Sequence, residues 1–410
     1  MSSRPFGVAV LGFGWMGHAH SRAYARVRQH FPDLGLTPRL VLVAEPDSGR
    51  GEDARERYGF ADWTPDWRQV LADDRVEAVS VTAPNFLHRE IAVAVAAAGK
   101  HLWIEKPVGL SAEDAQAVAE AVRRNRVQAS VGFNYRNAPA VAHARELIAT
   151  GQLGEVTDAA FRLLSDYAAH PLGALSWRFE RAQGGAGVLG DLVSHGVDLV
   201  RHLLGDIDTL VADTATFIAE RPRPDGLASH FAVAESGVLG PVENEDYLSC
   251  LLRLRGGARA SLRASRVAVG EQNNYGFEIH GTRGSVSWDF RRMGELAVCV
   301  GGNYANQPSS TLYVGPAHGD FGAFQPGAGV AMGYDDLKVI EAAGFLRTIA
   351  DSGVAPRPGG TSESRSSHAT IEDAVQSALA LEAMVRSQHT GQWEAVTDTP
   401  SIGRGTAGPA

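Results

Sequence analysis

Gly7-Val8-Ala9-Val10-Leu11-Gly12-Phe13-Gly14-Trp15-Met16-Gly17 is the stretch whose reading decides the fold. Val8–Leu11 is an unbroken apolar run, as expected of a strand buried on both faces. Glycines follow with the spacing Gly-x-Gly-x-x-Gly, and from Met16 to about Gln29 the pattern suits a helix. In such a strand–turn–helix unit the first glycine permits the tight turn. The second lets the backbone approach a pyrophosphate, and the third lets the helix pack close to the strand. The helix N-terminus adds free N–H groups and a partial positive charge for phosphates. Three glycines alone mean little in a chain with 46 of them. The flanking strand and helix make Gly12, Phe13, Gly14, Trp15, Met16 and Gly17 a dinucleotide-binding turn.

The rhythm continues outward. Apolar runs recur at Arg39–Ala44, Ala78–Thr82, His101–Ile104 and Gln128–Phe133, with helices expected at His88–Ala98 and from a Ser111 N-cap to Arg124. Continuous apolar runs followed by helices indicate a doubly wound α/β fold, its parallel sheet covered on both faces. After about Phe133 the character changes. Helices are expected at Ala138–Thr150 and Leu189–Leu204, and alternating runs then take over. Leu248, Cys250, Leu252 and Leu254 point one way, and a turn follows at Arg255-Gly256-Gly257. Gly276–His280 and Ser285–Phe290 read as a hairpin. This second part reads as an antiparallel sheet whose one face is covered by helices. Gly301–Gly333 reads as a long loop, Asp335–Ala350 and His368–Ser387 as helices, and Asp351–Ser367 as a loop between them. The expected division is residues 1–131, residues 132–396 and a flexible tail, 397–410.

A chain of 410 residues with 44% hydrophobic and 21% charged content is that of a soluble protein of two or three domains. Ile91–Ala98, the longest apolar run near a helix, is too short for a bilayer, so no membrane partner is expected. Met1–Pro5 leads straight into a strand with no secretory signal, which points to the cytoplasm. A net charge of −9 without a basic block argues against nucleic acid. Cys250 and Cys299 make no disulfide framework and read as buried thiols. No Cys/His cluster has zinc spacing, so no metal is expected. Of 38 basic residues only Lys100, Lys106 and Lys338 are lysine. A lysine in a pocket-like context is therefore informative.

The second strand ends at Val43-Ala44-Glu45. An acidic residue there can accept hydrogen bonds from the adenosine ribose and would repel a 2′-phosphate. Glu45 follows Gly17 by 28 residues, and the loop Gln29–Thr37 accounts for the excess. No arginine is adjacent, Arg50 being the nearest downstream, so NAD is expected over NADP. Asp47 is a rival, but Pro46 suggests that the strand has already ended. Thr82, Pro84, Asn85, His88, Glu105, Lys106 and Asn134, at or near strand ends, are read as further cofactor contacts. In Glu105-Lys106-Pro107, Lys106 can hold a ribose hydroxyl and stabilise charge on a substrate oxygen, and its pKa shifts on burial as arginine's does not. A helix from Leu189 would set Asp191 and His195 at i and i+4 on one face, with Asp198 beside them. Such a pair can bind a hydroxyl and take its proton. Alone it reads as an ordinary helix salt bridge, and it gains force only with the glycine turn and Lys106.

The glycine turn, Glu105-Lys106-Pro107, Gly132-Phe133-Asn134-Tyr135-Arg136 and the run from Gly184 to His195 occur in that order. Together they resemble the glucose–fructose oxidoreductase / inositol dehydrogenase (Gfo/Idh/MocA) family over about residues 6 to 395. The resemblance implies an N-terminal Rossmann domain and a C-terminal α/β domain with a large open, mainly antiparallel sheet, for substrate and for oligomerisation, here a homodimer or tetramer. It also implies action on sugars and inositols, with Lys106, Asp191 and His195 catalytic and His195 the base. Leu175–Phe179, Asn273–Tyr275, Phe277–Thr282 and Gly315–His318 resemble a subgroup that oxidises the C3 hydroxyl of an anhydrosugar with NAD. Lys106, Tyr135, Asp166, Trp177, Arg178, Asp191 and His195 are the substrate-binding candidates; Trp177 could stack on a sugar face or fill the core. The leading expectation is NAD-dependent oxidation of a secondary hydroxyl on a sugar, anhydrosugar or glycoside. The alternatives are a cyclitol or amino-sugar dehydrogenase of secondary metabolism and a catalytically silent NAD-binding regulator. Intact Lys106, Asp191 and His195 count against the regulator.

Overall fold

The computed structural model describes residues 3–224, 232–234, 237–352 and 368–397. The loop expected over Asp351–Ser367, beyond Ser352, and the flexible tail expected from Thr397, beyond that residue, lie outside the described residues.

Six strands build the first sheet: β1 (Arg4–Leu11), β2 (Leu36–Ala44), β3 (Asp62–Thr64), β4 (Ala78–Val81), β5 (His101–Ile104) and β6 (Ala129–Val131). All are parallel, in the order β3-β2-β1-β4-β5-β6. The winding reverses between β1 and β4, which opens a crevice at the carboxyl edge where ligands of such sheets collect. Between the strands run α1 (Trp15–His30), α2 (Ser48–Tyr58), α3 (Arg68–Ala72), α4 (His88–Ala97) and α5 (Ala112–Asn125). Val8, Val10, Val79, Val81, Leu102 and Ile104 are fully buried, which is why their runs are apolar without alternation. Ser111 caps α5 as expected, accepting the Asp114 N–H at 3.1 Å. The sixth strand, β3, was not anticipated; three residues carry no period to read.

After α6 (Pro139–Ala149) comes β7 (Val156–Leu164), then α7 (Arg181–Gly184) and α8 (Ser194–Leu204). The chain continues through β8 (Ile207–Ala215), the small pair β9 (Glu220–Pro222) and β10 (Leu239–Pro241), β11 (Tyr247–Leu254) and β12 (Arg259–Ser265). Next are β13 (Asn274–Gly281), β14 (Gly284–Asp289), β15 (Glu295–Val300), β16 (Ser310–Tyr313), α9 (Tyr334–Ser352), α10 (Ile371–Thr390) and β17 (Glu394–Ala395). Nine strands form one sheet, β16-β15-β14-β13-β7-β12-β11-β8-β17. It is antiparallel except where β7 meets β12. On β11, Leu248, Cys250, Leu252 and Leu254 are buried while Ser249, Leu251 and Arg253 are exposed. The buried face joins the core of α8 and α10. The expectation of an unbroken loop over Gly301–Gly333 needs correction, because β16 lies within it and pairs with β15.

The last two helices return to the first sheet. α9 packs on α1 and α10 on α5. Arg22 and Arg26 of α1 pair with Asp335 and Asp336 of α9 at 2.5 and 2.6 Å. Trp103 of β5 shares a core cluster with Phe345 of α9. Among the described residues no helix is long and apolar enough to cross a membrane.

Candidate active site

The site begins at the glycine turn. Gly12 has φ of +87°, and a Cβ there would lie 2.8 Å from the Ala83 Cα. A Cβ on Gly17 would lie 2.4 Å from the Gly12 carbonyl oxygen, so only glycine lets α1 start this close to β1. Gly14 differs: a Cβ there would meet nothing within 4 Å, which leaves room over the helix N-terminus. That is the space a pyrophosphate requires, and the turn fits a dinucleotide. Thr82 steadies it, its hydroxyl donating to the Gly12 carbonyl at 2.6 Å. Phe13 is buried against His18, Tyr58 and Phe60, so only its backbone faces the crevice. Trp15 is exposed and stacks on Tyr334, whose hydroxyl reaches the Met16 sulfur at 3.6 Å.

Glu45 follows β2 and is buried. Its Oε2 accepts the Phe13 N–H at 2.8 Å, and its Oε1 accepts the Asp47 N–H at 3.2 Å. Arg50 lies five residues on, yet α2 brings its guanidinium back to Glu45 Oε1 at 2.8 Å. The rival Asp47 caps α2 instead, accepting the Arg50 N–H. Asn85 reaches across to the Gly184 carbonyl at 3.3 Å, joining the crevice to the glycine run, and Pro84 precedes that short turn. Asn134 is buried, and its Nδ2 has no partner among the described residues.

Two expected cofactor contacts need correction. His88 is buried with Nδ1 2.7 Å from the Pro107 carbonyl and Nε2 2.8 Å from that of Ala83, so both nitrogens brace backbone. Glu105 is likewise taken up by protein: it is buried, and its Oε1 accepts from His20 and Lys338.

Lys106, by contrast, faces Asp191. Its Nζ donates to the Asp191 carbonyl oxygen at 2.9 Å and to Oδ1 at 3.1 Å. Arg178 approaches the same Oδ1 at 3.9 Å, and the Tyr167 hydroxyl donates to Oδ2. Burial pushes the Asp191 carboxyl up, but Lys106, Arg178 and Tyr167 together outweigh it and hold Asp191 below the usual carboxylate range. His195 is buried with its ring against Tyr135 and Phe133. Among the described residues no protein hydrogen bond engages that ring. Burial first, then the Lys106 charge, lowers the His195 pKa well below 6.5, so the imidazole is neutral at pH 7.

The local helix differs from expectation. Leu189–Val193 forms a π-helical turn, and α8 begins only at Ser194. The wider turn breaks the i, i+4 stacking, and Asp191 bonds Lys106 and Tyr167 rather than His195. Asp198, expected beside them, is buried in a pair with Arg136. Among the substrate candidates, Asp166 accepts from Gln272 Nε2 at 3.5 Å and acts on Tyr275, while the next residue, Tyr167, reaches Asp191. Trp177 is partly exposed, its ring covered by the Arg178 guanidinium at 4.6 Å. Trp177, Arg178, Asn85, Tyr167 and Asp191 line one cleft.

The model of the oxidoreductase family with NAD-binding Rossmann fold matches residues 6–133, and the GFO/IDH/MocA C-terminal domain matches residues 141–287. The chain belongs to the Gfo/Idh/MocA family. Its first sheet is accordingly an NAD-binding Rossmann fold, and the second carries the C-terminal domain of Gfo/Idh/MocA proteins. Levoglucosan dehydrogenase of Pseudarthrobacter phenanthrenivorans is 35% identical over 399 residues, 96% of this chain and 98% of that protein. A solved levoglucosan dehydrogenase in complex with NADH and levoglucosan superposes with a TM-score of 0.86 at 34% identity, covering 96% of this chain and 100% of that one. Inositol 2-dehydrogenase of Rhizobium meliloti, more distant, is 26% identical over 74% of this chain and 82% of that protein.

Proposed function

We propose that this protein is an NAD-dependent dehydrogenase that oxidises a secondary hydroxyl of a sugar, anhydrosugar or glycoside, with levoglucosan the first substrate to test. One observation carries the reading: Lys106 meets Asp191 beside a neutral His195, at the carboxyl edge of an NAD-binding sheet. The likeness to levoglucosan dehydrogenase along nearly the whole chain supports the substrate class.

Bound NAD supplies the hydride acceptor for the carbinol carbon. The turn Gly12–Gly17 would hold its pyrophosphate, Glu45 its adenosine ribose, and the Asn134 Nδ2, without a partner among the described residues, a polar group of the bound cofactor. His195 accepts the hydroxyl proton, a task that suits a neutral imidazole whose ring takes no hydrogen bond from the described residues. The Lys106 ammonium stabilises the charge that grows on the substrate oxygen. Asp191 orients Lys106, and Tyr167 and Arg178 fix Asp191 in turn. Tyr135 packs the imidazole, while Trp177 offers a partly open face to a sugar ring. We assign residues 1–131 to the cofactor half and 132–396 to the substrate half, in a cytoplasmic homo-oligomer, dimer or tetramer, that forms through the exposed face of the second sheet.

The test is NADH formation on a panel of sugars, anhydrosugars and inositols. K106A and H195A are each expected to lower kcat by about 10² or more. Turnover confined to inositols would move the substrate to the cyclitols. Tight NAD binding without turnover on any polyol would replace the enzyme by a regulator.

A further inference from the structure

Behind the candidate site lies a buried cluster of charges that the proposed chemistry does not use. Lys338 of α9 is wholly buried, and its Nζ donates to Glu105 Oε1 at 2.6 Å and to Glu341 Oε1 at 3.0 Å. His20 of α1 donates from Nε2 to Glu105 Oε1 at 3.0 Å, and Trp103 donates from Nε1 to Glu341 Oε1 at 2.7 Å. The His20 ring stacks on Trp103 with centroids 3.6 Å apart. Ligand-type atoms of His20, Glu105 and Glu341 lie within 4.8 Å of one another, a set that suits a cation. The Lys338 ammonium bonds two of them and takes the cation's place.

The cluster ties four elements together. Glu105 directly follows β5, His20 is on α1, and Lys338 is on α9. At the exit of β6, a Cβ on Gly132 would lie 2.4 Å from Glu105 Oε1. The residue after Glu105 is Lys106. A buried carboxylate without its cation is strongly destabilised, so the position of Glu105 depends on Lys338. Burial opposes the charge on Glu105, but the nearby Lys338 ammonium and the His20 N–H outweigh it and keep the carboxylate ionised.

We propose that Lys338 is a positioning residue for hydroxyl oxidation: it holds Glu105 against α1 and the β6 exit, and so fixes the backbone from which Lys106 reaches Asp191. This rests on the functional reading above. The pair also acts on His195. The groups around that imidazole are Lys106, Glu105, Lys338 and Asp191, with the Tyr135 ring packed on it. Burial is the main reason it is neutral; the two lysines push the same way and the two carboxylates oppose them. Loss of the Lys338 charge therefore raises the His195 pKa, and loss of the Glu105 charge lowers it.

The experiment compares K338M, E105Q and the double variant with wild type, reading folding by circular dichroism, NADH affinity by fluorescence, and kcat/KM against pH. K338M is expected to lower kcat at least about tenfold, with a smaller change in KM, and to weaken NADH severalfold. Its acidic limb moves to higher pH while that of E105Q moves to lower pH. Mere structural damage has no reason to produce opposite shifts. Wild-type kcat and an unmoved limb in folded K338M would overturn the proposal, as would shifts of the same sign in both variants. Where K338M alone does not fold, the double variant, which leaves no unpaired charge on Glu105, is expected to fold and to stay slow; wild-type kcat in it would also overturn the proposal. A wild type that turns over no polyol refutes the functional reading instead, and the seat of Glu105 is then read from NADH affinity alone, with unchanged affinity in K338M and in the double variant refuting it.

Discussion

At the scale of single residues, Asp191 owes its acidity to neighbours, not to solvent. Tyr167 holds one oxygen and Lys106 the other, so the carboxylate has one orientation. Y167F removes one charge-assisted hydrogen bond, and kcat/KM is expected to fall about tenfold, roughly 1.4 kcal/mol, in steady-state kinetics. Glu45 is oriented likewise by the Phe13 and Asp47 N–H groups and by Arg50. E45A removes the ribose acceptor and releases Arg50 for a 2′-phosphate. NAD affinity in the variant is expected to fall by about tenfold or more while NADP affinity rises or holds, as titration calorimetry can check. Equal affinities for NAD and NADP in the wild type would refute the role given to Glu45. The partners of Tyr167 and Arg50 were not legible, because each acts from a position that spacing does not flag. Tyr167 sits one residue beyond Asp166 in a loop, where no period tells which neighbour turns inward. Arg50 returns to Glu45 only because α2 coils back, and Ser48–Tyr58 buries just Gly51 and Ala54, too little to mark a helix.

At the scale of elements, two histidines couple packing to pH. His20 lies between α1 and β5, and His368 precedes α10 with its Nε2 3.0 Å from the Thr348 hydroxyl of α9. Burial lowers each pKa to about 4 from 6.5. The unfolded chain therefore binds more protons between these values, and the stability each contributes is present above pH 6.5 and lost as pH falls toward 4. Each accounts for on the order of 3 kcal/mol across that window. Melting temperature should drop on acidification from pH 7 to pH 4.5, and H368N should flatten the drop. An identical slope in wild type and variant would refute the assignment. Element reading worked best where strands are buried on both faces, because β1, β4 and β5 leave apolar runs that need no partner to be seen. It failed for β7, where Ala159 and Ala160 face opposite ways and blur the contrast between inside and outside. The π-turn at Leu189–Val193 was equally hidden, since its residues suit an α-helix.

At the scale of the whole molecule, the two sheets were legible as a parallel part followed by an alternating part. The return of α9 and α10 to the first sheet was not legible, because packing between distant segments leaves no local period. The exposed face of the nine-stranded sheet, with Leu251 at 53% exposure on β11, is the surface we propose for self-association. Light scattering is expected to report a dimer or tetramer, and L251E to shift it toward monomer; a wild-type monomer at micromolar concentration would refute that surface. The bond between Glu105 and Lys338 spans 233 residues of sequence. During synthesis, then, every strand of the Rossmann sheet leaves the ribosome long before the ammonium that neutralises its buried carboxylate. Until α9 emerges, that half must keep Glu105 hydrated or protonated, with the seat of Lys106 unset. On the positioning role proposed for Lys338, catalytic competence arrives only once α9 has been made, and a product that stops before α9 is an incomplete cofactor binder, not a half-active enzyme.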